Sequence, residues 1–115
     1  MNKELLEAAG VDYAAGLRRF AGKSEMYERF IRSFPADENF AEAEALFAQG
    51  NYAELLRPVH ALKGVSGNLS LTAYYENCCA IVTALRAGNY SEVQALWPEN
   101  VRLYKKITAV IAKMD

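Results

Sequence analysis

The sequence holds a single histidine, His60, in the run Arg57-Pro58-Val59-His60-Ala61-Leu62-Lys63-Gly64-Val65-Ser66-Gly67-Asn68-Leu69. A neutral imidazole has a free lone pair and is a nucleophile. Lys63, Gly64 and Gly67 follow His60 at three, four and seven residues. Those are the spacings at which residues share one side of a helix. At about 100° per residue, Gly64 and Gly67 fall within about 40° of His60 and Lys63 within about 60°. A phosphoryl group on an imidazole nitrogen carries about two negative charges near neutral pH. Lys63, one turn away, can offset part of that charge through a charge-assisted hydrogen bond.

The two glycines call for a reason. Each costs roughly 1 kcal/mol against alanine inside a helix. Two on one face break a local rule without a gain in stability, and such breaks concentrate at functional sites. Their effect here is to leave His60 clear, so that a second protein can bring a reacting atom close to the ring. Gly64 and Gly67 are therefore expected to give access.

The same helix must bury its other side. Tyr52, Leu55, Leu56, Val59, Leu62 and Leu69, with Ser66 on the same stripe, recur at spacings of three and four, as a bundle helix needs. This seam lies roughly 130° from His60, so the ring points outward or to the seam's edge. Pro58 removes a backbone donor two residues before it and predicts a kink.

Glycine, proline and capping residues divide the rest of the chain into helices. They are expected over about 2–9, 12–20, 24–34, 37–49, 52–69, 70–87 and 91 to the C-terminus. Asp12, Asp37 and Ser91 are the expected caps, Ser70 or Thr72 starts the sixth helix, and the last bends at Pro98. No strand-like alternation of useful length occurs. The last four helices are joined by short links, which favour antiparallel neighbours. The expectation is an all-α fold, an antiparallel up-down four-helix bundle over residues 37–115, with short N-terminal helices over residues 1–36 covering one end, and all of 1–115 one domain.

Composition fits this. A chain of 115 residues can bury one core without metal or disulfide. Hydrophobic residues at 52% and charged residues at 23% argue against disorder. A net charge of −1 gives no reason to expect nucleic acid. Residues 1–47 carry a net of −3 and residues 48–115 a net of +2. The adjacent Cys78 and Cys79 read as reduced thiols in a helix, at least one of them in the core. One histidine and two cysteines do not make a metal site. The start Met-Asn-Lys-Glu lacks the pattern of a signal peptide, and no run approaches 18 apolar residues. A cytoplasmic location is expected, with no membrane partner. The aromatics Phe20, Phe30, Phe34, Phe40, Phe47, Tyr74, Tyr75 and Trp97 read as core. A few apolar residues of the N-terminal helices are expected to remain exposed beside His60 as a docking patch.

The ten residues from His60 to Leu69 closely resemble the signature of histidine phosphotransfer (HPt) domains, His-x-Leu-Lys-Gly-x-Ser/Ala-Gly. The stretches LRRFAGKSEMYERFIRSF, GNYAELLRPVHALKG and ALRAGNY look like the same family, so the resemblance covers nearly the whole chain. It implies a four-helix bundle with an exposed, phosphorylated histidine that shuttles phosphoryl groups to and from receiver aspartates. On this resemblance His60 is the phosphoacceptor, Lys63 contacts the phosphoryl group and Gly64 gives access. Arg86 falls on the facing helix where the family can carry a second basic residue near the site.

The sequence departs from the pattern at two positions. Ser70 stands where members commonly have glycine, which implies a changed helix terminus. Val82 aligns with a glutamine that often hydrogen-bonds the histidine ring, so the ring lacks its usual partner.

No aspartate cluster, phosphate loop or paired acid and base appears. The chain is thus expected to be a phosphotransfer intermediate and not an enzyme, with no cofactor of its own. The carboxylate and Mg²⁺ are expected from a response-regulator receiver domain, and a sensor or hybrid histidine kinase is the other expected partner. A monomer is expected. The alternative is a helical adaptor in which His60 is never phosphorylated, and the missing glutamine favours it. A hydrolase or transferase with its own active site has little support.

Overall fold

The computed structural model describes residues 2–115; Met1, the first residue of the expected 1–36 segment, lies outside it. Among the described residues the regular structure is all helical. The helices are α1 (Asn2–Ala8), α2 (Tyr13–Arg19), α3 (Ser24–Arg32), α4 (Asn39–Ala48), α5 (Tyr52–Asn68), α6 (Thr72–Arg86) and α7 (Tyr90–Ala112), with a 3-10 turn at Phe34–Ala36 between α3 and α4.

Local chemistry starts three of these helices. Asp12 accepts from the Ala15 amide at 3.1 Å, Asn51 from Glu54 at 3.3 Å and Asn89 from Glu92 at 3.3 Å. Each satisfies one of the four amides that a helix start leaves open. Two expected caps are corrected. Asn89 and not Ser91 caps α7; the Ser91 hydroxyl instead donates to the Asn89 side chain at 3.1 Å. Asp37 makes a short turn one residue earlier than a cap would, accepting from the Asn39 amide at 2.8 Å. The start of α6 has no side-chain cap from either Ser70 or Thr72. Its Ala73 amide donates instead to the Gly10 carbonyl in the α1–α2 link, at 3.0 Å.

Helices α4 to α7 form an antiparallel bundle in which α5 packs on α4 and α6, and α6 on α7. Aromatic rings join α4 to α7 on the remaining side. Phe40 stacks on Tyr104 with centroids 3.6 Å apart, and both Phe40 and Phe47 stack on Trp97. Leu55, Val59, Leu62 and Ser66 are fully buried along the seam of α5, with Leu69 behind them. Pro58 and Pro98 lie within α5 and α7, which continue past them.

A buried polar chain sets the register of α6 against α7. The Tyr74 hydroxyl donates to Asn100 Oδ1 at 3.0 Å, Asn100 Nδ2 donates to Asn77 Oδ1 at 2.8 Å, and Asn77 Nδ2 donates to the Leu96 carbonyl at 3.2 Å. Such groups tolerate burial because each is paired. Cys78 joins them as a buried thiol, and burial pushes its pKa up to about 12.

The short helices α1 to α3 close one end. Glu28 on α3 ties them together, accepting from Asn2 Nδ2 at 2.8 Å and from the Tyr13 hydroxyl at 2.6 Å. The Asp12 amide donates to the Ser70 carbonyl at 2.9 Å, which docks the α1–α2 link onto the α5–α6 link. Phe30 departs from the expected core role, since 46% of it is exposed.

Candidate functional site

The phase of α5 decides where His60 goes. With Leu55, Val59, Leu62 and Ser66 buried, the opposite side of the helix must face out, and His60 is exposed. Among the described residues, no hydrogen bond reaches its ring. Val82 is 2% exposed and turns its side chain into the core. A valine has no polar atom to offer a ring nitrogen.

His60 borders an open concavity of about 480 Å³. Lys63, Gly64, Ser66, Gly67 and Asn68 of α5 line it, with Ser70 and Thr72 from the following link and helix start, Tyr75 from α6, and Ala15 and Arg19 from α2. No carboxylate is in this lining, and two of its side chains are cations. Lys63 is half-buried and Arg19 exposed.

The two glycines play different parts. A Cβ on Gly64 would meet nothing within 4 Å, so this glycine keeps the space beside His60 open. A Cβ on Gly67 would sit 3.0 Å from Tyr75 Cε1 and 3.1 Å from Cδ1. Gly67 thus seats the Tyr75 ring while itself lining the concavity beside Ser66 and Asn68. Tyr75 in turn is a wall of the concavity and not a core aromatic. Its phenol is held above the usual range, first by its hydrogen bond with the Cys79 side chain beside it and then by the repulsion a Cys79 thiolate would exert; the nearby Arg19 guanidinium acts in the opposite sense.

Arg86 is not brought to this place. It is the last residue of α6, exposed, and absent from the lining. Because α6 runs antiparallel to α5, its final turn lies toward the start of α5, about 16 Å along the helix from Tyr75 at 1.5 Å per residue. The cation that joins Lys63 comes from α2 instead.

Arg19 was not singled out from the sequence. What positions it is a lock between distant segments. The Tyr27 hydroxyl donates to the Leu69 carbonyl at 2.7 Å, where α5 ends. It passes beneath α2 at Gly16, where a Cβ would lie 2.0 Å from the hydroxyl oxygen. The only sign in the sequence was a glycine inside α2, Gly16, with an arginine one turn later.

The end of α5 is also unusual. Ser70 has φ +56°, a left-handed conformation that favours glycine. The Leu71 amide donates to Ser66 O at 2.9 Å and the Ser70 amide to Gly67 O at 3.2 Å. This is a Schellman ending, with serine in the position that glycine usually fills. The expected change of helix terminus is therefore one of strain and not of shape.

Among the described residues, no group of three His, Cys, Asp or Glu could hold a metal ion, and no helix is long and apolar enough to cross a membrane. Compared with known families, residues 25–113 match the Hpt domain. The match begins at Glu25, so α1 and α2 precede it. No curated protein and no solved structure matches the chain.

Proposed function

The chain belongs to the Hpt domain family, the phosphohistidine relay module of two-component signalling, and on that premise we propose that His60 is the residue that carries its phosphoryl group. The observation that supports this is an exposed imidazole at the edge of a concavity that holds cations and no carboxylate. Lys63 contacts the phosphoryl oxygens, and Gly64 keeps the approach open. The whole of residues 1–115 acts as one unit, with residues 1–36 covering the bundle of 37–115.

Hpt domains exchange phosphoryl groups with receiver domains and kinases. In the transfer we propose here, His60 Nε2 attacks the phosphorus of a receiver's aspartyl phosphate in line with the bond that breaks. A P–N bond forms, and the P–O bond to the aspartate breaks with its electron pair left on the carboxylate. The ring keeps its Nδ1 proton during attack and can lose it to water, since it stands exposed. The charge on the equatorial oxygens is spread and needs cations more than it needs an acid or base. Mg²⁺ and the carboxylate come from the receiver. The chain is a carrier without a catalytic site of its own, works as a monomer in the cytoplasm, and has a receiver and a sensor or hybrid histidine kinase as its partners. The outer side of α2, with Ala14, Leu17 and Ala21 around a shallow apolar hollow, is the docking patch beside the concavity.

One observation favours a second reading. With Val82 buried, no side chain among the described residues hydrogen-bonds the ring to fix its tautomer, as an adaptor that is never phosphorylated would allow. The two readings separate on incubation with a phosphorylated receiver. An acid-labile, base-stable label is expected, and it should vanish in His60→Gln. A wild-type protein that binds the receiver yet takes up no label would establish the adaptor instead.

A further inference from the structure

We propose that Arg19 is a second phosphoryl-contacting residue, so that the relay site is built by α2 as well as α5. This rests on His60 as phosphoacceptor and extends it.

Three observations carry the proposal. Arg19 lines the same concavity as His60, Lys63 and Gly64, and no acidic residue shares that lining. Among the described residues, Arg19 makes no ion pair, whereas Arg32, Arg57 and Arg102 each face a glutamate. An arginine without an acid partner, held beside a nucleophile, is available to an anion. The third observation is how firmly the fold holds α2 in place. Tyr27 of α3 reaches Leu69 beneath Gly16, and the Asp12 amide reaches the Ser70 carbonyl, so the start of α2 is bonded to the end of α5 and its middle is seated on the Tyr27–Leu69 bond.

The chemistry separates the two cations. Lys63 presents a compact point charge, but a guanidinium presents a planar fork of donors that can grip two phosphoryl oxygens at once. Lys63 and Arg19 approach from different helices, so together they can hold the group from two sides. The aspartyl phosphate of a receiver and the phosphohistidine would share these contacts as the phosphoryl group passes between them.

A small donor removes the receiver from the question. With phosphoramidate, His60 Nε2 attacks phosphorus, the P–N bond to ammonia breaks, and the leaving nitrogen takes up a proton from water. Rates of His60 labelling are to be compared for the wild type, Arg19→Gln, Arg19→Lys and Arg29→Gln, the last being an exposed arginine on α3 outside the concavity. Arg19→Gln should label about tenfold more slowly, the size expected from loss of a charge-assisted bond in the transition state. Arg19→Lys should recover part of the rate, and Arg29→Gln should match the wild type. In the phosphorylated protein, the pH midpoint of the phosphorus NMR shift should rise in Arg19→Gln, because a cation that favours the dianion is gone. Helical circular dichroism confirms that each variant is folded. If Arg19→Gln labels at the wild-type rate and keeps the wild-type midpoint, Arg19 is no phosphoryl contact, even were transfer from a receiver slowed. If the wild type itself takes no label from phosphoramidate or from a receiver, His60 is not the acceptor and both assignments fall.

Discussion

The Tyr27 hydroxyl and the Leu69 carbonyl, 42 residues apart in sequence, meet at 2.7 Å in the interior. The bond closes the gap between the N-terminal helices and the end of α5, and only the bare backbone of Gly16 leaves room for it. Tyr13 and Phe20 pack on the same ring, with centroids 5.3 and 5.2 Å away. The His60 side of α5 and the helix that carries Arg19 are thus held as one body.

Gly16→Ala tests that lock. The new Cβ would stand 2.0 Å from the Tyr27 oxygen and 2.1 Å from Cζ, so the ring has to leave. Overpacking and a lost buried hydrogen bond together predict a loss of about 2–4 kcal/mol. Tyr27→Phe removes the hydroxyl alone and should lose only about 1–2 kcal/mol. Urea unfolding measures both. Equal losses would mean that the ring can move aside without strain.

Stability and transfer should part company at Gly64. Its Cβ position is empty space, so Gly64→Gln fits the fold and should stabilise it by about 0.5–1 kcal/mol through helix propensity. The same side chain crowds His60, and transfer from a phosphorylated receiver should fall by at least about tenfold, as misplacement of reacting groups does. Lys63→Ala should slow transfer by a similar factor with the urea midpoint nearly unchanged. A Lys63→Ala protein that does not fold would place this side chain in the structure and not at the phosphoryl group.

Ser70→Gly should stabilise the domain by about 1 kcal/mol. Serine at φ +56° bears a clash that glycine does not. The backbone bonds of the helix ending remain available to either residue. A thermal midpoint that rises by several degrees agrees with this; one that falls would show that the serine hydroxyl contributes more than the strain removes.

The domain should weaken in alkali. Burial pushes the phenols of Tyr27 and Tyr74 upward, burial and then Glu28 hold Tyr13 at about 12, and burial holds the Cys78 thiol at about 12. These groups keep their protons longer folded than unfolded. Their contribution is therefore complete below the unfolded values, roughly 8.5 for a thiol and 10 for a phenol, and is lost as pH climbs from there through the folded values. Urea midpoints at pH 7 and near pH 10.5 should differ, the second being lower. Equal midpoints would mean that these groups titrate alike in both states.

Much of this protein could be read from local pattern. The spacing of Leu55, Val59, Leu62 and Ser66 sets the phase of α5, and that phase alone turns His60 outward, with Lys63 and Gly64 beside it. Helix ends followed from glycine and from short polar caps, which act over three or four residues. What only the tertiary structure decided was everything supplied by a neighbouring segment. Gly10 completes the start of α6, Tyr75 claims the space at Gly67, and Arg19 takes the position beside Lys63 that Arg86 was expected to fill. Period and capping are written in adjacent residues, but which side chain crosses from one helix to the next depends on packing between residues far apart in the chain, and no spacing within a single helix encodes that.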